Sequence, residues 1–410
     1  MADRYFENKF GQYDQTIALV EDNFQLCKTM SDPINEFITV QLQLLRKVFS
    51  ESSSRKYDSR DSSVYTGLSG IVVLTQKLHA TRNPIWEPLL GFQNTLLSKM
   101  CLRGDGITFF CGDPGPLVVH IVECHAKGDD ETVKRYVDML LKFAQQSKKK
   151  KMDNEMLYGR AGYLYSLLKV KQLSSSLIPD SVIQQIVADI VNAGVEGAAA
   201  KGNRCVLPLY YEWYKEEYVG AAHGYVGIFY MILQAATLHP GCLSEQHEQL
   251  VVASIDALLN LRYPSGNLPA CVGDARDELM HWCHGGPGAI HLYALAYKRY
   301  KKPQFLSACK MFADDVWARG LLKRGYGLCH GVAGNGYALL CMYQLTGEAE
   351  YLWRATRFAE WCLSYGEHGC RVPDTPYSLF EGLAGTLYFL NDILAPKDAM
   401  FPAFQLVPYF

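Results

Sequence analysis

The sequence lacks several features that would place it in common classes of protein. No uncharged apolar run approaches the roughly 18 residues that a transmembrane helix needs. Charged residues make up only 20% of the 410 residues, and the formal net charge is −2. This balance argues against binding to nucleic acid or to an anionic membrane. The first residues contain no signal segment, and the second residue is Ala2 rather than the glycine that N-myristoylation requires. We therefore expect a cytoplasmic protein without a stable membrane anchor, with peripheral membrane association left open.

The chain also lacks the cysteine pattern of a secreted protein. Its 13 cysteines are odd in number, and no two form a Cys-x-x-Cys pair. In a chain of this size, that argues against a disulfide framework. Most of the cysteines lie within apolar runs, as Cys309, Cys341 and Cys362 do. These are expected to be small residues of the core, for which a hydrophobic content of 49% is ample.

An internal repeat organises the chain. Seven Gly-x-x-Gly tetrads each open an apolar run, and they begin at Gly67, Gly112, Gly159, Gly224, Gly285, Gly331 and Gly382. Two further tetrads, at Gly194 and Gly366, are not followed by such a run. The tetrad together with its apolar helix is therefore the signal of one repeat.

Amphipathic stretches alternate with these runs. They cover 34–49, 84–100, 131–146, 180–194, 244–261, 303–318 and 349–364. Seven pairs of helices can stack as an open solenoid or close as a toroid. We favour closure, because inner helices that are apolar nearly all round require burial on every side. The predicted fold is all-α: an α/α toroid (double α-barrel) of seven inner and seven outer helices, in a single domain over residues 1–410.

Two repeats share the motif Cys-His-Gly-x-x-Gly. Cys283-His284 opens one copy, Cys329-His330 opens the next, and the cysteines are 46 residues apart (283 and 329). Because matched positions of successive repeats can converge, these side chains can meet at one point. Thiolate and imidazole are the ligands that zinc prefers. We interpret Cys283, Cys329 and His330 as a three-ligand zinc site with one open position; the alternative is that they are buried core residues.

The residue before each tetrad is expected near the start of an inner helix, in a ring around a cavity. The seven residues are Thr66, Cys111, Tyr158, His223, His284, His330 and Glu381. Cys111 and His284 are rival metal ligands. His223 is a candidate general acid or base, unless it is a packed turn histidine. Glu381 is expected to cap the last helix, with acid–base catalysis as the alternative, and Tyr158 to serve packing.

Two arginines precede the last two repeats. Arg324 lies five residues before Cys329, and Arg371 begins a loop that Pro373 and Pro376 constrain. Guanidinium groups bind carboxylates in a bidentate manner. Both residues are therefore candidates for binding an anionic substrate, although either could instead be an ordinary surface charge.

These motifs resemble the eukaryotic LanC-like proteins, which are related to the bacterial lanthionine synthetase cyclases. The most specific segments are 217–224, 281–285, 325–331 and 378–382, and the resemblance covers essentially the whole chain. The branch that it resembles most is the one without an N-terminal myristoylation signal.

The resemblance implies an α/α toroid with zinc on Cys283, Cys329 and His330, and glutathione as co-substrate with its thiol on the metal. The glutathione contacts it implies are a lysine five residues before the second cysteine and an Arg-Thr-Pro-Asp loop. The chain has Arg324 at the first position and Arg371, Val372, Pro373 and Asp374 in the loop. Arginine in place of lysine keeps the charge but changes the reach of the side chain and the geometry of its contacts. Valine in place of threonine removes a hydroxyl that could form a hydrogen bond. Arg4 is a further expected contact, and His223 matches the family's acid–base histidine.

The leading hypothesis is a zinc-dependent glutathione transferase. It would add glutathione thiolate to dehydroalanine or dehydrobutyrine in proteins, or to small aromatic electrophiles. The alternative is a non-catalytic adaptor that binds or senses glutathione and acts through regulatory protein partners. A glycosidase would need two opposed carboxylates, which Glu381 and Asp113 could supply, but it would leave the repeated Cys-His-Gly unexplained.

Overall fold

The computed structural model describes residues 4–50, 57–81, 89–104, 106–149 and 151–409. In these ranges the chain forms fourteen α-helices, and its only β-type pairings are isolated bridges. The predicted all-α class is therefore confirmed. Among the described helices, not one combines the length and the apolar character needed to cross a membrane.

Seven helices begin at the tetrads, as predicted, and are the inner helices. They are α2 (Leu68–Ala80), α4 (Pro114–Ala126), α6 (Arg160–Lys171), α8 (Tyr225–Leu238), α10 (Gly286–Tyr300), α12 (Val332–Thr346) and α14 (Leu383–Ile393). In six of them the first glycine of the tetrad is the N-cap residue. In α4 the N-cap is Asp113, and proline occupies the first helical position.

The other seven helices follow the predicted amphipathic stretches. They are α1 (Lys28–Ser50), α3 (Leu90–Lys99), α5 (Asp130–Ser147), α7 (Asp180–Lys201), α9 (Glu245–Leu258), α11 (Pro303–Arg319) and α13 (Ala349–Leu363). Helix α1 begins at Lys28, before the predicted start at residue 34. Residues 84–88 of the second predicted stretch lie outside the described residues.

Burial separates the two kinds of helix as the sequence pattern predicts. In α8 every residue from Tyr225 to Ala236 is buried, so this helix packs on all its sides. In α5 the buried apolar residues are Val133, Val137 and Leu140, which fall on one face. The side chains on the other face of α5 remain in contact with water.

Contacts divide the chain into two compact units. The first contains residues 1–101, 280–282 and 309–410. Its inner helices are α2, α12 and α14, and α14 contacts both of the others. The turns that precede these helices are hydrogen-bonded to one another. The N–H of Cys329 donates to the carbonyl of Phe380 (2.8 Å), and the N–H of Phe380 donates to that of Tyr65 (3.2 Å).

The second unit contains residues 102–279 and 283–308. Its inner helices pack in the order α4, α6, α8 and α10. The preceding turns are again joined: the N–H of Met156 donates to the carbonyl of Ala222 (3.1 Å), and that of Ala222 donates to Cys283 (3.4 Å). Within each unit, backbone hydrogen bonds thus bring together the turns that carry the predicted functional residues. The single domain over residues 1–410 remains a prediction.

Candidate functional site

The three predicted metal ligands lie together. One donor atom each from Cys283, Cys329 and His330 lies within 4.8 Å of the other two. Among the described residues, this is the only group of three or more His, Cys, Asp or Glu side chains with such spacing. The cysteines are 7% and 3% exposed, and His330 is half-buried. The rival ligands Cys111 and His284 are not members of the group.

Close backbone packing fixes Cys329 and His330 at the start of α12. His330 precedes Gly331, which is the N-cap residue of α12. A β-carbon on Gly331 would collide with the backbone of Tyr326 and Gly327, so only glycine permits this turn. The hydrogen bond from Cys329 to Phe380 holds the other side of the turn. The positive end of the α12 dipole therefore lies next to Cys329.

Cys283 is held at the start of α10. The carbonyl of Cys283 accepts from the N–H of Ala222. Two residues later, Gly285 has φ +116°, a conformation that side chains disfavour. The amide oxygen of Asn267 accepts from the N–H of Gly286 (2.8 Å), which satisfies one of the free donors at the helix start.

The surroundings of His330 alter its titration. Burial opposes its charged form, but the hydrogen bond and the charge interaction with Cys329 outweigh this effect. Glu381 acts in the same direction as Cys329, while Arg324 opposes it, and the pKa of His330 is raised overall. The short distance between the two side chains, whose donor atoms lie within 4.8 Å of each other, accounts for this effect.

The donor set fits a zinc ion. Two sulfur atoms and one imidazole nitrogen are ligands that zinc prefers, and three protein ligands are the usual number in zinc enzymes whose fourth position takes water or substrate. The neighbouring ring of His281 has its centroid 6.0 Å from that of His330, but it is outside the ligand group.

His223 is paired with a carboxylate that the sequence reasoning missed. Its Nδ1 lies 2.8 Å from Oε2 of Glu155. Glu155 is only 2% exposed, and it also accepts the N–H groups of Leu157 (2.9 Å) and Tyr158 (2.5 Å). Burial raises the pKa of the Glu155 carboxyl, and the hydrogen bonds offset part of that rise. With three donors directed at it, the carboxylate fixes the orientation of the imidazole.

His223 lies near Cys283, which precedes helix α10. The centroids of His223 and His284 are 6.3 Å apart, and His284 follows Cys283 directly. The turn hydrogen bond from Ala222 to Cys283 maintains this proximity. His223 is thus in a position to act on a group held near Cys283.

The arginine-bearing segments of the first unit lie side by side. The N–H of Lys323 donates to the carbonyl of Arg4 (3.0 Å), and the N–H of Arg371 donates to the carbonyl of Lys323 (2.9 Å). The three predicted basic contacts, Arg4, Arg324 and Arg371, therefore belong to adjacent segments. Arg324 is exposed and influences the titration of His330, so positive charge lies near the ligand group.

The loop that follows Arg371 is organised by its own polar groups. Nη2 of Arg371 lies 3.1 Å from Oδ1 of Asp374, and both side chains are largely exposed. Val372 is 74% exposed, so its side chain lies on the surface of the loop. Pro373 is only partly exposed. The hydroxyl of Thr375 donates to Oε2 of Glu381 (2.8 Å), and this bond attaches the loop to the start of α14.

Two expectations for carboxylates need correction. Glu381 does not cap α14: the N-cap is Gly382, without a side-chain cap, and Glu381 holds Thr375 instead. Asp113, which a glycosidase would need, accepts the N–H groups of Arg103 (2.8 Å) and Gly104 (2.7 Å). Both oxygens of Asp113 therefore stabilise a turn.

Comparison with known proteins identifies the family of the chain. The family model described as "Lanthionine synthetase C-like protein" matches residues 58–406. The zebrafish (Danio rerio) protein named "Glutathione S-transferase LANCL1" is 40% identical over 412 residues, covering 98% of this chain and 99% of the relative.

A solved structure shows the same fold. Nisin cyclase matches with a TM-score of 0.63 at 17% identity, covering 90% of this chain and 94% of the cyclase. At this identity the likeness shows the fold alone, and that fold is the predicted α/α toroid. The family model and the zebrafish relative both cover most of the chain. The chain therefore belongs to the lanthionine synthetase C-like family.

Proposed function

We propose that the chain is a zinc-dependent glutathione transferase. It would join the sulfur of glutathione to an electrophile, such as dehydroalanine or dehydrobutyrine in a protein or a small aromatic compound. The observation that carries the proposal is the group of Cys283, Cys329 and His330, with a carboxylate-paired histidine beside Cys283. The name of the zebrafish relative supports the same class of reaction.

The ligand group would hold zinc, and the arginines would hold glutathione. Zinc bound to these residues would supply Lewis-acid chemistry, lowering the pKa of a thiol so that it reacts as thiolate. Glutathione carries carboxylates at both ends, and Arg4, Arg324 and Arg371 lie on adjacent segments. The pair of Arg371 and Asp374 is exposed, and such pairs contribute only about 0–1 kcal/mol. A substrate carboxylate could therefore replace Asp374 at little cost.

His223 would act as the general base and then as the general acid. Nδ1 faces the Glu155 carboxylate. In the tautomer with the hydrogen on Nδ1, Nε2 would be left to exchange a proton with the substrates. When sulfur bonds to the β-carbon of a dehydroalanine residue, the electron pair of the double bond moves toward the carbonyl. The α-carbon then needs a proton, which His223 would supply after receiving the one that the thiol loses.

His223→Asn tests whether this chemistry is catalysed. We expect the turnover of a dehydroalanine peptide with glutathione to fall about 100-fold or more, measured by mass spectrometry of the adduct. The affinity for glutathione, measured by calorimetry, should change little, because the predicted carboxylate contacts are the arginines. His79→Asn, which replaces an exposed histidine at the end of α2, should leave both values unchanged.

The same experiment separates the enzyme from the adaptor. Undiminished transfer by His223→Asn, together with intact glutathione binding, would favour a protein that binds glutathione and acts through regulatory partners. A wild-type protein that binds glutathione but produces no adduct would do the same.

A further inference from the structure

Two aromatic side chains lie with their rings parallel to the imidazole of His223, the proposed acid–base residue. The imidazole of His223 stacks on the indole of Trp213, with centroids 3.8 Å apart and planes 3° apart. The ring of Tyr158 is 3° from both, at 5.8 Å from Trp213 and 6.3 Å from His223. The short distance between His223 and Trp213 is that of direct face-to-face contact.

These distances fix where Tyr158 lies. In the triangle of the three centroids, the angle at Trp213 is about 80°. Tyr158 is therefore displaced sideways from the stacked pair of His223 and Trp213, and its ring stays parallel to both of theirs. We call the adjoining rings of Tyr158 and Trp213 the aromatic shelf. His223 covers the Trp213 part of the shelf, and the Tyr158 part extends past the imidazole.

The shelf is held in place and is open to solvent. Tyr158 is 48% exposed although its N–H is bonded to the buried Glu155. Trp213 exchanges two backbone hydrogen bonds of 3.0 Å with Glu216, which close a tight turn. The two residues in that turn, Tyr214 and Lys215, have φ +48° and +66°. Non-glycine residues adopt this conformation at a cost in free energy, and such strain is concentrated at functional sites.

A fixed, exposed aromatic face next to a proton donor is suited to a flat partner. The conjugated double bond and amide of a dehydroalanine residue are planar, and so is an aromatic electrophile. Stacked on Tyr158, such a group would lie parallel to the imidazole of His223 and next to it. The carbon that must receive a proton would then be close to the group that donates it.

We propose that the aromatic shelf binds the planar conjugated part of the electrophile. This inference rests on the proposed transferase function and adds the surface for the second substrate. The shelf would favour planar unsaturated or aromatic electrophiles over those that react at a tetrahedral carbon. In the favoured reaction the carbon–sulfur bond forms at the β-carbon, the π bond breaks, and the α-carbon takes the proton from His223.

Tyr158→Leu tests the proposal, because leucine is apolar but has no ring face. With chlorodinitrobenzene and with a dehydroalanine peptide, we expect KM for the electrophile to rise about tenfold, a typical loss for one aromatic stacking contact. KM for glutathione and turnover of iodomethane, which reacts at a tetrahedral carbon, should stay within about twofold. Tyr158→Phe keeps the ring and should retain the wild-type KM for both planar compounds.

A matched control lies on the same turn. Tyr214 is 81% exposed and meets Trp213 edge-on at 75°, so its ring is not parallel to the rings of the shelf. Tyr214→Leu should leave KM for all electrophiles unchanged. The proposal is overturned if Tyr158→Leu keeps the wild-type KM for planar electrophiles, or if it impairs iodomethane turnover to the same extent.

A binding measurement separates this proposal from the proposed function. S-dinitrophenylglutathione, the product with chlorodinitrobenzene, should bind the wild-type protein about tenfold more tightly than Tyr158→Leu in calorimetry. That difference in affinity is expected whether or not the protein catalyses the transfer reaction. Equal affinities would overturn the shelf, while absence of adduct formation by the wild-type protein with every electrophile would overturn the transferase.

Discussion

A buried ion pair joins α2 to α14. Nζ of Lys77 lies 2.6 Å from Oδ1 of Asp392, and the two side chains are 17% and 1% exposed. Asp392 also accepts the hydroxyl of Tyr337 (2.7 Å) and the N–H of Met400 (3.1 Å). Burial raises the pKa of the Asp392 carboxyl, although Lys77 opposes that rise. Such a pair is costly to break, because the remaining charge stays buried without its partner.

Lys77→Met should therefore destabilise the protein strongly. We expect the free energy of unfolding to fall by about 3–5 kcal/mol, the usual cost of removing one member of a buried pair. Urea unfolding followed by circular dichroism measures it. The matched control is Lys310→Met, which breaks an exposed pair with Glu348 (2.9 Å) and should cost about 1 kcal/mol or less. Equal losses in the two variants would show that burial does not control the energy of the pair.

The sequence predicted which residues begin the inner helices but not all the groups that act with them. Glu155 is 68 residues from His223, and a contact across that separation is created only when neighbouring turns pack. The one available signal was an acidic residue four positions before the tetrad at Gly159. Trp213 lies in a long interval between two repeats, so it has no repeat position from which its role could be inferred.

At the scale of elements, residues 4–13 form an extended N-terminal segment of the first unit, called here the strap. The N–H of Phe6 donates to the carbonyl of Leu321 (2.7 Å), and its ring lies 5.3 Å from Trp361 and 6.3 Å from His368. Further along the strap, the ring centroid of Tyr13 lies 6.0 Å from that of Trp353. Aromatic contacts of this kind fix the path of an extended segment that has few backbone hydrogen bonds of its own.

Phe6→Ala should weaken glutathione binding through the position of Arg4. The strap brings the carbonyl of Arg4 to the N–H of Lys323, beside the Arg371 segment. With the Phe6 anchor removed, we expect Kd for glutathione, measured by calorimetry, to rise about three- to tenfold, because ordering Arg4 then costs free energy.

The control for Phe6→Ala is an alanine substitution at a strap residue that lies farther from Arg4 along the chain. Tyr13→Ala also removes an aromatic contact of the strap, but it should leave Kd within about twofold. An equal rise in Kd for both variants would indicate a general loss of stability, and no rise for either would contradict a role of the strap in binding.

The glycine tetrads explain why the starts of the inner helices were predictable. At Gly224 a β-carbon would collide with the carbonyl of Tyr218, so the residue type is dictated by backbone contact. No comparable constraint marks the start of α1, which begins at Lys28 and extends the amphipathic stretch toward the N-terminus. Helix α1 departs from its predicted start, whereas α7, α11 and α13 begin at the predicted residues 180, 303 and 349.

At the scale of the whole molecule, seven repeats were sufficient to predict the fold class. Each repeat supplies one inner helix and one outer helix, so a motif that occurs in two repeats predicts that its side chains converge. The fold could be predicted because the period is visible in the sequence. The partners of each functional residue could not, since they depend on which turns become neighbours. Arg371 illustrates this, because its N–H donates to the carbonyl of Lys323, on the segment that enters the preceding repeat.

The central claim is that Cys283, Cys329 and His330 bind one zinc ion, and X-ray absorption at the zinc edge tests it most directly. We predict one zinc per chain with two sulfur ligands, loss of the metal and of transfer in Cys329→Ala, and retention of both in Cys341→Ala, which replaces a buried cysteine within α12. A fully active Cys329→Ala protein without zinc, or a zinc environment without sulfur, would contradict the account.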